Sequence, residues 1–372
     1  MRLPSVVLVL AGVTGLAVAS AFACSVPVFR YVLERFQPET YRAVIFHRGP
    51  LAPEHKKAVD ALRALAEGEG ATANLEVELV DLAALTNAAQ KVGWEPPAGA
   101  ALPWLAVAYP DAPLTMPAFS GPLSAESVRL LCDSPARREI SKRVLAGDSA
   151  VFVLLESGRK AADDAAAKLL QATLGDMQKT LKLPGDDPDA PVQVMADPPL
   201  KIAFSILRLS RTDPAEKLFV RILLSGDKDL GQVEGPLVFP VFGRGRALAG
   251  IGGKELTAET LQSAGEFLCG ACTCAYKEQM PGLDLLIASD WTAGMAGQVV
   301  KDAPPPLQGL GTLAQAAAGA QSAPSQAPAV PAANVPAYGL LSVVLLAVLG
   351  GIAVAVVLAA LVMRAKAPER RE

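Results

Sequence analysis

Residues 103–127 read PWLAVAYPDAPLTMPAFSGPLSAES, and residues 236–260 read PLVFPVFGRGRALAGIGGKELTAET. Each stretch opens on a proline and runs on through an apolar, strand-like segment. Each then passes a turn and a second extended segment and ends on a capping pattern, LSAES at 123–127 and LTAET at 256–260. Ser and Thr are preferred helix N-caps because their side-chain oxygens accept from the first free backbone N–H groups. Ser124 follows Pro103 by 21 positions, and Thr257 follows Pro236 by 21. A strand, a turn, a second strand and a capped helix therefore align without a gap, the sign of an internal repeat.

The flanking segments extend this pattern. Residues 42–47 (RAVIFH) read as a short buried strand. Residues 53–67 read as a helix opened by Pro53, with Val59, Leu62 and Leu65 at helical spacing. Residues 75–82 alternate apolar and acidic residues, as a strand with one wet face does. A further helix is expected at 135–145. In the second half, 150–155 (AVFVLL) reads as a strand and 163–181 as a long helix N-capped by Asp163 or Asp164. Residues 186–199 read as a polar loop, 201–209 as a strand, and 214–224 as a helix capped by Asp213. Residues 237–242 and 246–251 form a strand pair around the turn Gly243-Arg244-Gly245. An extra strand is expected at 283–288, with Trp291 packing over this half.

The order β-α-β-α-β-β-α, read once over 40–145 and again over 149–275, resembles the thioredoxin fold. The fold class this implies is α/β, with two tandem thioredoxin-like domains. In that family a proline, usually cis, stands just before the third strand, where Pro103 and Pro236 stand here. The resemblance therefore implies cis bonds at Leu102–Pro103 and Gly235–Pro236. The chain departs from the family at its active site. Redox-active members place C-x-x-C between the first strand and first helix, where this chain has His47-Arg48-Gly49-Pro50 and Glu156-Ser157-Gly158-Arg159. Thiol exchange needs an accessible thiolate there, so the family's activity does not carry over. Residues 24–31 (CSVPVFRY) also resemble the mature start of uncharacterised exported bacterial proteins, a likeness that brings no function with it.

The two ends are written for a membrane. Residues 6–23 are apolar after Arg2 and close on Ala21-Phe22-Ala23, so 1–23 reads as a signal peptide. Retention as an anchor, or lipid attachment at Cys24, are the competing readings. Residues 338–363 carry no charge and are long enough to cross a hydrocarbon core of about 30 Å. The basic tail 364–372 marks the cytoplasmic side, which places everything before residue 338 outside. Residues 302–337, rich in Ala and Pro, read as an extended stalk. The expected domains are thus 24–148 and 149–301, followed by stalk, single span and tail. Within the span, Ala347, Gly351, Ala355 and Ala359 form a small-residue ridge suited to packing against another membrane protein or a second copy.

Lys and Arg number 34 against 37 Asp and Glu, a net charge of −3 that steers no nucleic acid. Five cysteines are too few for a disulfide scaffold. Three of them cluster in Cys269-Gly270-Ala271-Cys272-Thr273-Cys274. Exported, they face an oxidising space, where a structural disulfide to Cys24 or Cys132 is the default reading. The same sulfurs suit Cu or Zn, with Cys24 or Cys132 as a fourth ligand, or thiol–disulfide exchange. His47 and His55 are the only histidines, and neither has a nucleophile or metal partner nearby in sequence. No catalytic residue and no resident cofactor is expected. The leading reading is a non-enzymatic binding or scaffolding protein on the outer face of the cell membrane. The alternative is a thiol-disulfide or soft-metal handling protein built on the cysteine cluster.

Overall fold

The structure is a computed structural model that describes residues 26–84, 94–184, 194–197, 200–272, 280–296 and 299–302. The described chain is mixed α/β with two main sheets. It begins with helix α1 (Val28–Glu34), whose Val28, Phe29, Val32 and Leu33 line one buried face. An Arg30–Glu34 pair at 2.6 Å closes its last turn.

The first sheet follows. Strand β1 (Tyr41–His47) leads through helix α2 (Pro53–Ala66) to β2 (Leu75–Asp81). Then come β3 (Trp104–Ala108), β4 (Phe119–Pro122), helix α3 (Ala125–Cys132) and helix α4 (Pro135–Leu145). The strand order is β2-β1-β3-β4, with β1 parallel to β2 and antiparallel to β3. The central β1 is buried on both faces, which explains its unbroken apolar run. Ser124 forms the expected cap as a full capping box with Ser127.

The second sheet repeats this plan and adds to it. Strand β5 (Ala150–Glu156) leads into helix α5 (Lys160–Thr180), the short β6 (Val194–Asp197) and β7 (Phe204–Ser210). A 3-10 turn at Pro214–Glu216 then opens helix α6 (Lys217–Leu224). Next come β8 (Leu237–Phe242), β9 (Arg246–Ala247), β10 (Ile251–Gly252) and helix α7 (Ala258–Cys269). Strand β11 (Leu283–Asp284), the single-turn helix α8 (Trp291–Gly294) and β12 (Val299–Asp302) finish the described chain. The order is β11-β9-β8-β5-β7, with β10 also on β8, while β12 pairs with β6 apart from both sheets. As in the first sheet, the strand pairs are parallel for β5–β7 and antiparallel for β5–β8.

The two halves share one core. Side chains alternate across a strand, so Val151, Val153 and Leu155 face one way while Ala150, Phe152 and Leu154 face the other. The first set joins Tyr41, Ala43, Ile45, Leu105, Leu131 and Trp291 in a cluster common to both halves. The second set packs under α1, α5 and α7. Residues up to Pro306 accordingly cluster as one compact unit.

Several elements differ from the sequence reading. Helix α1 carried an apolar face that was not read. Asp163 does not cap α5, which starts three residues earlier behind Arg159 without a side-chain cap. Residues 194–197 form a strand because β12 supplies a partner, and Asp302, expected to open the stalk, closes that pair. The equal 21-residue spacings hide a slip. Leu105 pairs with Gly121, whereas its counterpart Val238 pairs with Ile251. The glycine turn after β8 makes the second connection shorter, and a three-residue 3-10 turn, Gly253–Glu255, restores the spacing before Thr257.

Leu102–Pro103 is the only cis peptide bond among the described residues, so Gly235–Pro236 is trans, against the expectation. The loop before Pro236 is anchored instead by Arg211, which donates to the carbonyls of Val233 (2.9 Å) and Gly235 (3.1 Å). Among the described residues no helix is long and apolar enough to cross a membrane. The expected signal peptide (1–23), the expected span (338–363) with its ridge Ala347, Gly351, Ala355 and Ala359, and the expected tail lie outside the described residues.

Candidate functional site

Each half turns from its first strand into a helix through a short loop, and the two loops share a device. Two residues after β1 stands Gly49 at φ +66°, and two residues after β5 stands Gly158 at φ +85°. This left-handed backbone suits glycine and leaves its N–H pointing out of the turn. A carboxylate takes that N–H in both cases. Asp81, at the end of β2, accepts from Gly49 N (3.1 Å) and Ala83 N (2.9 Å). These backbone bonds hold the Asp81 carboxyl below its ordinary range. In the second half the acceptor is the buried Asp163. It takes Ser157 N and Ser157 Oγ on one oxygen (both 2.8 Å) and Gly158 N on the other (3.0 Å). His47 is tied to its own loop, since Nδ1 donates to the Gly49 carbonyl at 2.8 Å. Neither loop holds a thiol.

The cysteines lie elsewhere. Cys132 is the last residue of α3 and Cys269 the last of α7. Cys132 belongs to the shared core, whereas Cys269 and Cys272 belong to the cluster on the opposite face of the second sheet. The structure therefore brings Cys269 and Cys272 together and leaves Cys132 apart from them. Burial pushes the Cys132 thiol up to about 11 and the Cys269 thiol up to about 12. Cys24 and Cys274 lie outside the described residues. Among the described residues no group of three or more His, Cys, Asp or Glu is placed to hold a metal.

The segment bearing Cys272 is hydrogen-bonded to the start of the described chain. Pro27 forms an antiparallel bridge with Ala271, Val28 N donates to Gly270 O (2.9 Å), and Cys272 N donates to Val26 O (2.9 Å).

Between the halves runs a buried polar seam that the sequence reading missed. Arg137 is 2% exposed. It donates to the carbonyls of Leu131 (2.6 Å) and Leu130 (2.7 Å) in its own half and Leu286 (3.0 Å) in the other. Glu216 accepts from Ala136 N at 2.7 Å, capping α4 from the opposite half. Arg246 and Asp284 form a buried ion pair at 2.6 Å. Asp284 also accepts from Glu39 N (2.9 Å), and its carbonyl accepts from the Tyr41 hydroxyl (2.8 Å). Burial raises the Asp284 carboxyl against the opposing pull of Arg246. A charged residue inside an apolar pattern was the available signal, as at Arg246 after VFGRG.

Beside this seam opens a cleft of about 810 Å³. The 109–117 loop of the first half forms one wall, with Tyr109, Met116 and Pro117. Leu223, Phe239 and Leu248 contribute to the other. Tyr109, Leu224 and Ser225 also border a second, more open hollow of about 630 Å³, lined by Arg211, Lys217 and Arg221. The two cavities share those three lining residues. Met116 is 79% exposed on the rim, the one large apolar side chain so exposed among the described residues.

No protein-family model matches the chain, and no curated protein matches it significantly.

Proposed function

We propose that this protein is a non-enzymatic binding or scaffolding module, built from two thioredoxin-like halves and accessory to a membrane complex. In this reading the folded part sits outside the membrane, on the periplasmic side. A stalk and a single span at 338–363 hold it there, with the basic tail in the cytoplasm. The observation that carries the reading is the pair of strand-to-helix loops. Where a redox relative needs C-x-x-C, each loop is thiol-free and is closed by a carboxylate on a left-handed glycine. The groups that would act in such a protein are replaced by groups that hold the loop still.

The competing reading, thiol exchange or Cu and Zn handling, is favoured by Cys269 and Cys272 sharing one cluster. It is opposed by burial, because both chemistries need a thiolate and Cys269 is pushed up to about 12. A structural crosslink suits the cysteines better. Pro27 and Ala271 form an antiparallel bridge, and in sequence Cys24 stands three residues before the one and Cys274 three after the other.

The test is affinity purification of the full-length chain at native abundance after mild solubilisation, with metal analysis and peptide mapping without reductant. Reproducible membrane-protein partners, no stoichiometric metal and a Cys24–Cys274 peptide support the proposal. Recovery of this chain alone, or disulfide-reductase activity lost in Cys269→Ser, would replace it with the competing reading.

A further inference from the structure

One face of α6 carries Lys217, Val220, Arg221 and Leu224, spaced so that all four lie along one side of the helix. All four line the basic hollow, and Leu224 also borders the apolar cleft. Read along the helix, the surface passes from charge to hydrocarbon. Lys217 and Arg221 stand at one end, with Arg211 beside them, and Leu223, Phe239 and Met116 stand at the other.

Among the described residues Arg211, Lys217 and Arg221 have no ion pair within 4.0 Å. Arg221 donates to the Ala118 carbonyl at 3.3 Å and Arg211 to Val233 and Gly235, while the buried Asp163 lies within electrostatic reach of Arg211. The hollow holds one carboxylate, Asp213, already accepting from Ala215 N at 2.9 Å. Three cations and one anion thus line the hollow.

We infer that the two adjoining cavities bind a long-chain carboxylate, with its head at Lys217 and Arg221 and its chain in the cleft between Met116 and Phe239. A volume of about 810 Å³ lies within the range of about 300–1,000 Å³ typical of ligand pockets. The walls favour a hydrocarbon over a polypeptide. They offer mostly Leu, Pro, Ala, Met and Phe, so a peptide would bury backbone N–H and C=O groups against few partners. A hydrocarbon chain buries none, and every CH₂ it takes out of water favours binding. The flexible thioether of Met116 adapts to such a chain.

This inference rests on reading the protein as a binding module, and its test is separable from the test of that reading. The full-length chain, carrying ¹³C-methyl methionine in lipid nanodiscs, is titrated with decanoate, decylammonium and decanol. Met116→Leu identifies the reporter signal. Met177 and Met280, buried in the opposite cluster, serve as internal controls. Decanoate is expected to shift the Met116 methyl saturably, at a concentration about tenfold below that for decanol or decylammonium. Lys217→Glu with Arg221→Glu is expected to reverse that preference while leaving Met177 and Met280 unmoved. Lys217→Gln alone, at an exposed position, is expected to weaken decanoate severalfold. No saturable shift, equal half-saturation for the three head groups, or displacement of decanoate by an apolar acidic-ended peptide would overturn the inference. Missing protein partners in the purification would remove the scaffolding reading and leave this titration intact.

Discussion

The two strand-to-helix loops solve one problem with different parts. Each carries a left-handed glycine two residues past its strand, and each glycine N–H meets a carboxylate. In the first half that carboxylate comes from the neighbouring strand, as Asp81. In the second it comes from the first turn of the helix itself, as Asp163. Asp81 is only partly buried and holds two backbone groups, whereas Asp163 is 3% exposed and holds three donors. The backbone solution is shared and the side-chain solution is not. A repeat of this kind keeps its strand pairing and caps because the sheet demands them, and lets the tethers between them drift.

The sharpest break between the halves is the extra strand β11, which has no counterpart in the first sheet. It is fastened by the Arg246–Asp284 pair. Asp284→Ala leaves Arg246 buried and uncompensated, and the expected loss is about 3–5 kcal/mol in denaturant unfolding. A loss under about 1 kcal/mol would show that water replaces the carboxylate and that β11 is peripheral.

The loops give the next largest effect. Asp163→Ala removes a buried acceptor from two backbone N–H groups and a hydroxyl, and should cost about 2–3 kcal/mol. Asp81→Ala should cost clearly less, because its carboxylate is less buried and holds one donor fewer. The pH dependence distinguishes the two further. The Asp81 carboxyl sits below its ordinary range in the folded chain, so its stabilisation is present above the unfolded value. That stabilisation is lost as pH falls through the folded value. Asp81→Asn should therefore flatten the acid limb of a thermal-stability profile, and an unchanged limb would remove Asp81 from the account.

The smallest effect is on rate. At pH 8, thiols raised to about 11 and about 12 are ionised to about one part in a thousand and one in ten thousand. Cys132 and Cys269 should resist iodoacetamide in the native protein and react promptly in denaturant. Native labelling of either at the rate of an exposed thiol would show that its helix end opens readily.

Much of the scaffold was legible in the sequence because it rests on local rules. Ser124, Thr257 and Asp213 announce their caps by type and position, and all three accept the backbone N–H expected of them. The apolar residues within 42–47 and 150–155 announced strands there. What stayed hidden is non-local. The slip between Gly121 and Ile251 is invisible because a shorter turn and a 3-10 turn cancel in the count. Asp163 looked like a cap because an acid in a helix first turn usually is one, and only the path of the 157–158 backbone redirects it. The cleft is assembled mainly from 109–117, 223–230 and 247–250, with Glu39, Phe239 and 282–283 between them, stretches that no local pattern connects.

One arrangement bears on how the chain reaches this state. Helix α1 rests on the second half, and its last carbonyls, Leu33 and Glu34, receive Arg244. Gly243, at φ +58°, admits Val32 so closely that an added Cβ would lie 2.3 Å from its side chain. During synthesis from the N-terminus, α1 emerges some two hundred residues before the surface that covers it. Its apolar face must wait for 243–245 and 270–272, and this long-range closure makes the final docking slow. A chain halted at residue 148 would leave Val28, Phe29 and Val32 without their cover, so the first half is a structural unit that cannot be harvested as a free-standing fragment.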